Sequence, residues 1–224
     1  MTATRERVIA SIRDGLGVSG ADKTRADTVA GRLQAHPAST VPGRASGSPE
    51  ELASRFAEML ESQQATLDWI AEEDDVPEAI AAYLRKLNLP ARARIGGDPV
   101  LKALPWSRAA SLEIVKGPAE PSDELGITRA EAAAAETGTL FFTSGSDNPT
   151  SLNFLPENHI AILRKADLLG SYEAVWERLR GRYGAGALPR TVNLISGPSR
   201  TADIEQTMVM GAHGPRRLHV VVVG

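Results

Sequence analysis

"RTVNLISGPSRTADIEQTMVMGAHGPRRLHVVVVG", residues 190–224, decides the fold. An apolar run ends at Ser196, a Gly-Pro turn follows, "ADIEQTMVMG" (202–211) carries helical spacing, and "LHVVVVG" closes the chain. Four consecutive valines lack the in-out alternation of a half-exposed strand and suit one covered on both faces. Strand, crossover helix and buried strand make the repeating unit of a parallel sheet.

Upstream, "TLDWIA", "ARARI", "SLEIV", "TGTLFFTS" and "HIAILR" read as further strands. Between them lie helical patterns. Residues 49–64 place Leu52, Phe56, Met59 and Leu60 on one face behind Pro49, which suits a helix entry. "VPEAIAAYLRKLN" repeats the device with Pro77, Ile80, Tyr83, Leu84 and Leu87, and "YEAVWERLRGR" and "TRAEAAAA" (128–135) read as helices by spacing and alanine propensity. The segment 4–14 is helical through Val8, Ile9 and Ile12, and "HPASTVPGRASGSPE" (36–50) then collects the residues of a flexible linker. These signals predict an N-terminal helix and flexible linker over 1–48, then one domain over 49–224. That domain is expected to be α/β and three-layer, Rossmann-like, with a largely parallel sheet covered by helices on both faces.

Composition narrows the function. The 224 residues carry 25 basic and 28 acidic side chains, a net charge of −3, so no basic stripe is available for a phosphate backbone, and nucleic acid is not the expected partner. No apolar run reaches the roughly 20 residues that span a bilayer, and "MTATRERVIASIRDG" lacks the apolar centre of a secretion signal, which predicts a cytoplasmic protein without a membrane span. Cysteine is absent, so the chain offers no thiolates to an iron–sulfur cluster. The histidines at 36, 159, 213 and 219 show no i,i+4 metal spacing, and no metal site is expected.

In an open α/β sheet, ligands bind beyond the carboxyl ends of strands, where "GPSRTADIE" (197–205) is placed by this reading. Gly197 and Pro198 shape the exit; Ser199, Thr201 or Asp203 would cap the following helix, with Asp203 and Glu205 complementing its positive end. Two readings stay open. Arg200 is a solvated or paired surface residue, or it joins the helix amides in holding a small carboxylate or phosphate. Glu136, Thr137 and Gly138 precede a strand, and the carboxylate could serve as base, nucleophile, hydroxyl anchor or cap. His159, leading a strand, and His213, in a Gly-flanked loop, are acid–base candidates. His219 is expected to face a neighbour within the sheet.

The motifs "ETGTL", "LPENHIAIL", "GPSRTADIEQTMVMGAHGP" and "LHVVVV", in this order, closely resemble the LUD-domain family, most strongly from about Leu125 onward. The resemblance implies a fold similar to the NagB, ribose-5-phosphate isomerase and coenzyme A transferase group. It implies cytosolic oxidation of L-lactate to pyruvate with lactate utilisation proteins A and B, whose iron–sulfur clusters would carry the electrons, this chain binding no cofactor. The residues it carries over are Glu136, Thr137, Gly138, Pro156, His159, 197–205, Gly211, His213, Gly214 and Pro215. Glu136, His159 and His213 are the expected catalytic groups. Thr137, Gly138, Gly197, Pro198, Ser199, Arg200, Thr201, Asp203 and Glu205 are the expected contacts of a small carboxylate. Two other classes of answer remain at this stage: an independent enzyme like the coenzyme A transferases, with Glu136 as nucleophile, or like the sugar-phosphate isomerases, and a non-catalytic scaffold.

Overall fold

Arg217–Val223 form a strand in which Leu218, Val220, Val221 and Val222 are no more than 2% exposed, the burial that an uninterrupted apolar run requires. The computed structural model describes residues 2–184, 186–201 and 209–224, with contacts clustering into two units, Met1–Thr40 and Val41–Gly224. The first unit holds α1 (Thr2–Leu16) and α2 (Lys23–Ala35), the latter capped by Asp22, which accepts the Arg25 amide. None of its described residues is buried.

The second unit runs α3 (Pro49–Ser62), β1 (Thr66–Ile70), α4 (Val76–Lys86), β2 (Arg92–Ile95), α5 (Pro99–Ala103), β3 (Glu113–Lys116), β4 (Leu125–Arg129), β5 (Ala132–Ala134) and β6 (Thr139–Thr143). It continues with α6 (Ser151–Phe154), β7 (Asn158–Arg164), β8 (Leu168–Leu169), α7 (Tyr172–Tyr183), β9 (Val192–Ile195), β10 (Arg200–Thr201), β11 (Val209–Met210) and β12 (Arg217–Val223). Six strands, in the order β1-β12-β7-β4-β2-β3, pair in parallel throughout. A second, mixed sheet has the order β8-β5-β6-β9, and β10 and β11 form an antiparallel ribbon.

Side-chain alternation along β7 and β12 builds two cores. Ile160, Ile162, Val221 and Val223 meet α4 and α5 through Ile80, Leu84 and Leu101. Ala161, Leu163, Val220 and Val222 meet α3 and the second sheet through Phe56, Leu60, Leu140 and Phe142. Phe56 and Leu60 are fully buried, each worth roughly 1.5–3 kcal/mol of transfer free energy. Helix α3 starts where Ser48 and Glu51 cap each other, Ser48 accepting the Glu51 amide at 3.2 Å and Glu51 accepting the Ser48 amide at 2.7 Å. α7 covers the outer face of the second sheet, against Ala132, Ala134 and Phe141.

Two sequence expectations are corrected here. Residues 128–135 are not a helix: Thr128 and Arg129 end β4 and Ala132–Ala134 form β5, wholly buried between β8 and β6. Alanine's helix preference is a fraction of a kcal/mol per residue, and close sheet packing around small side chains outweighs it. Nor does a helix start at Ser199 or Thr201 and run to Gly211, because Arg200–Thr201 and Val209–Met210 pair as strands, Arg200 opposite Met210. The backbone groups there already have distant partners: Ser199 N–H donates to Pro215 O at 2.8 Å, and Gly211 N–H to Ser199 O at 2.9 Å.

Candidate functional site

Strand alternation turns His159, the second residue of β7, toward the second sheet, on the side of Ala161 and Leu163. Its register partner on β4 is Gly126, and the missing side chain there admits the backbone of α6. A Cβ on Gly126 would lie 2.6 Å from Leu152 O and 3.0 Å from Pro156 Cγ. Asn153, next along α6, therefore sits beside His159, and both are 1% exposed.

These two residues form the buried part of a cavity of about 270 Å³. Phe154, Leu194, Ile195 and Leu218 supply apolar wall, while Ser196, Ser199, Arg200 and His213 supply polar groups. The size falls just under the roughly 300–1,000 Å³ of drug-sized pockets, as a small metabolite requires. Arg200 is the one Lys or Arg among the described lining residues, and none of those residues is Asp or Glu. Its guanidinium donates to Gln63 Oε1 at the end of α3, which occupies one of its five donors among the described residues.

His159 Nε2 lies 2.7 Å from Thr128 Oγ1, and its ring tilts against Phe142 with centroids 5.3 Å apart. Burial pushes the imidazole down to about 3, so at neutral pH it carries no charge. Its Nδ1 has no hydrogen-bond partner among the described residues, and neither has Oδ1 or Nδ2 of Asn153. Orphaned buried polar atoms are uncommon because each costs about 1–3 kcal/mol. Three of them belong to two lining residues of one cavity, where a polar guest could pair with them.

The cavity opens at the amino ends of β7 and β12 and at the carboxyl end of β9. The expectation of a crevice beyond the carboxyl ends of the parallel strands is corrected accordingly, because "GPSR" leaves the second sheet and folds back over the first. The loop after β11 meets the seam there: His213 N–H donates to Ser199 Oγ at 3.2 Å.

Residues 53–223 match the family profile of the LUD domain. The chain belongs to the LUD-domain family. It is similar to a lactate utilization protein C of Halalkalibacterium halodurans, 39% identical over 119 residues that cover 53% of this chain and 51% of that protein. Another lactate utilization protein C, from Shouchella clausii, is 38% identical over 100 residues, covering 45% and 44%. YkgG of Escherichia coli strain K12, an uncharacterized protein, is 33% identical over 141 residues, covering 58% and 61%. The chain thus spans about half the length of the curated relatives it matches. A crystal structure of a DUF162 family protein from Deinococcus radiodurans superposes with a TM-score of 0.57 at 22% identity, covering 80% of this chain and all of that one, and shares the fold.

Within this LUD domain the expected site residues separate into groups. His159, Gly197, Ser199, Arg200 and His213 line the cavity, with Gly214 and Pro215. Gly197 also seats the turn on α3, since a Cβ there would lie 2.8 Å from Gln63 Cβ. Pro198 and Thr201 flank the lining residues in sequence; Asp203 and Glu205 lie outside the described residues. Glu136 is elsewhere. Its buried carboxylate accepts the Tyr172 amide at 2.9 Å, at the start of α7, where Ser171 caps the helix by accepting the Ala174 amide at 3.1 Å. Thr137 reaches the cavity wall only through hydroxyls: its Oγ1 contacts Thr139 Oγ1, which in turn contacts Ser196 Oγ and Tyr172 Oη, all at 2.7 Å. Gly138 makes the turn into β6 at φ +64°, and a Cβ there would lie 2.9 Å from Leu60 N. Asn153 and Gly126 escaped the sequence reading, since a lone Asn or Gly in "TSLNF" or "ELGIT" carries no motif. His219 pairs in register with Thr66 of β1 and hydrogen-bonds it through Nδ1 at 2.9 Å, while stacking on Tyr83 of α4 at 3.8 Å.

Proposed function

We propose that this chain serves lactate utilisation as the cluster-free component of a cytosolic system that oxidises L-lactate to pyruvate, and that its cavity holds the substrate carboxylate against Arg200. The observation that carries the reading is the cavity's make-up: one guanidinium, no carboxylate among the described lining residues, and a floor of unpaired neutral polar atoms. A guanidinium gives a carboxylate charged hydrogen bonds, and the apolar wall strengthens them by excluding water. Kinship with proteins named lactate utilization protein C supports the choice of acid. Oxidation of lactate releases two electrons and two protons. A chain without cysteine leaves the electrons to iron–sulfur partners, here lactate utilisation proteins A and B. The described residues include no group of three or more His, Cys, Asp or Glu able to hold a metal.

His159 is a poor proton acceptor in this setting and acts as a hydrogen-bonding group, and His213 at the rim is the acid–base candidate next to Arg200. The domain assignment follows the same reading, with 49–224 as the working LUD domain and 1–48 as its extension. The test is lactate-dependent dye reduction by the co-purified gene products with and without this subunit. Full activity in its absence rejects the role. Arg200→Ala is expected to weaken lactate binding about 10- to 100-fold, the loss of about 1.5–3 kcal/mol of charged hydrogen bonding. Unchanged affinity by calorimetry removes Arg200 from the site.

A further inference from the structure

Resting on the reading of the cavity as a carboxylate site, we propose that Asn153 makes it selective for a short α-hydroxy acid over the corresponding 2-oxo acid, the carboxamide and the His159 imidazole together receiving the hydroxyl group. Asn153 and His159 are each 1% exposed and line one cavity, and three of their polar atoms lack hydrogen-bond partners among the described residues. A carboxamide presents an acceptor at Oδ1 and donors at Nδ2. An aliphatic hydroxyl both donates and accepts, so it can give its proton to Oδ1 while receiving a hydrogen bond from Nδ2. A carbonyl oxygen only accepts. It would satisfy Nδ2 and leave Oδ1 facing lone pairs, and a carboxylate would add negative charge to the same mismatch. Because both ends of the amide are unpaired, the reasoning holds for either orientation of its oxygen and nitrogen.

The pairing also orders the ligand. Its anionic end goes to Arg200 at the exposed side, and its uncharged oxygen goes to the buried floor. The floor is rigidly placed, since β4 at Gly126 and the α6 backbone approach too closely to admit even a Cβ. Burial gives the mismatch its weight: in water an unmatched acceptor finds a solvent donor, whereas here it goes without. Oxidation of the bound hydroxyl to a carbonyl removes the hydrogen bond to Oδ1, so the product is held more weakly than the substrate and leaves.

Calorimetric titration of the full chain with L-lactate, pyruvate and propionate tests this. The wild-type protein is expected to bind lactate about tenfold more tightly than the other two, the equivalent of one matched hydrogen bond. Asn153→Leu should bring lactate to the level of pyruvate and propionate and leave those two nearly unchanged. Asn153→Ala, which adds no bulk to the cavity, should do the same. Equal wild-type affinity for lactate and pyruvate overturns the selectivity, as does a preference that survives both variants or a loss that falls alike on all three ligands. Binding of none of the three overturns the carboxylate reading itself, and the selectivity with it.

Discussion

Asn153, His159 and Arg200 share one cavity but are held by unlike forces. Arg200 is exposed and donates to Gln63, whereas His159 is buried. Burial lowers the imidazole from about 6.5 to about 3, and His219, on the opposite face of the sheet, to about 4, Asp68 partly opposing that fall. The sign follows from linkage: a depressed folded pKa means that the unfolded chain takes up protons first. The stability tied to both histidines is therefore complete above about pH 6.5 and drains away as pH falls toward 3–4, by up to roughly 1.4 kcal/mol per pH unit for each group. Urea unfolding at pH 7.5, 5.5 and 4.5 should show that slope, and His159→Gln should flatten it; an equal slope in the variant removes His159 as its source. Asp123 acts in a lower window. Burial alone would raise its carboxyl, but hydrogen bonds from Arg94, at 2.8 and 3.2 Å, and from the Glu120 amide outweigh burial and hold it below the usual carboxylate range. Its contribution is present above about pH 4 and is lost beneath it. Asp123→Asn should cost about 1.5–3 kcal/mol at pH 7, read from the urea midpoint, with little difference from wild type in strong acid.

The elements around the cavity meet through small atoms and hydroxyls. Gly126→Ala would press a methyl into Leu152 O and is expected to lower stability by about 1–3 kcal/mol and to weaken lactate binding by displacing α6. A variant that melts as wild type and binds lactate equally well would show that α6 need not approach so closely. Thr139, fully buried on β6, ties α7 to the end of β9 through Tyr172 and Ser196. Thr139→Val strands those hydroxyls and is expected to cost about 1–3 kcal/mol, checked by thermal unfolding. The ribbon of β10 and β11 explains why helix capping misled the reading of Ser199 and Thr201 as the start of a helix reaching Gly211. Ser, Thr and Asp hydrogen-bond local backbone in many contexts, and only the distant carbonyl of Pro215 and the pairing of Arg200 with Met210 reveal a strand.

At the scale of the molecule, the two units differ in how they are held. Val41–Gly224 contains all three buried clusters, while no described residue of Met1–Thr40 is buried. Removing residues 1–40 should leave the main thermal transition within a few degrees of the full chain, since none of the described residues among them is buried; a large drop in calorimetry would reveal support from that segment. The parallel sheet was legible in the valine run, in "HIAILR" and in the Pro-led helices, because burial on both faces and periodicity leave marks within a short window of sequence. So was kinship, through "ETGTL" and "GPSRTADIEQTMVMGAHGP". Of the cavity, His159, Ser199, Arg200 and His213 could be named from the chain, while Glu136 proved to stand at the head of α7. The amino acids alone therefore determined class, family and the basic group at the seam, all of which depend on composition and near neighbours. Tertiary structure alone decided that Asn153 and His159 share a buried floor, that the seam turns back as a ribbon, and which end of the sheet carries the cavity. Those depend on register and on backbone approach between segments tens of residues apart, which no local preference encodes.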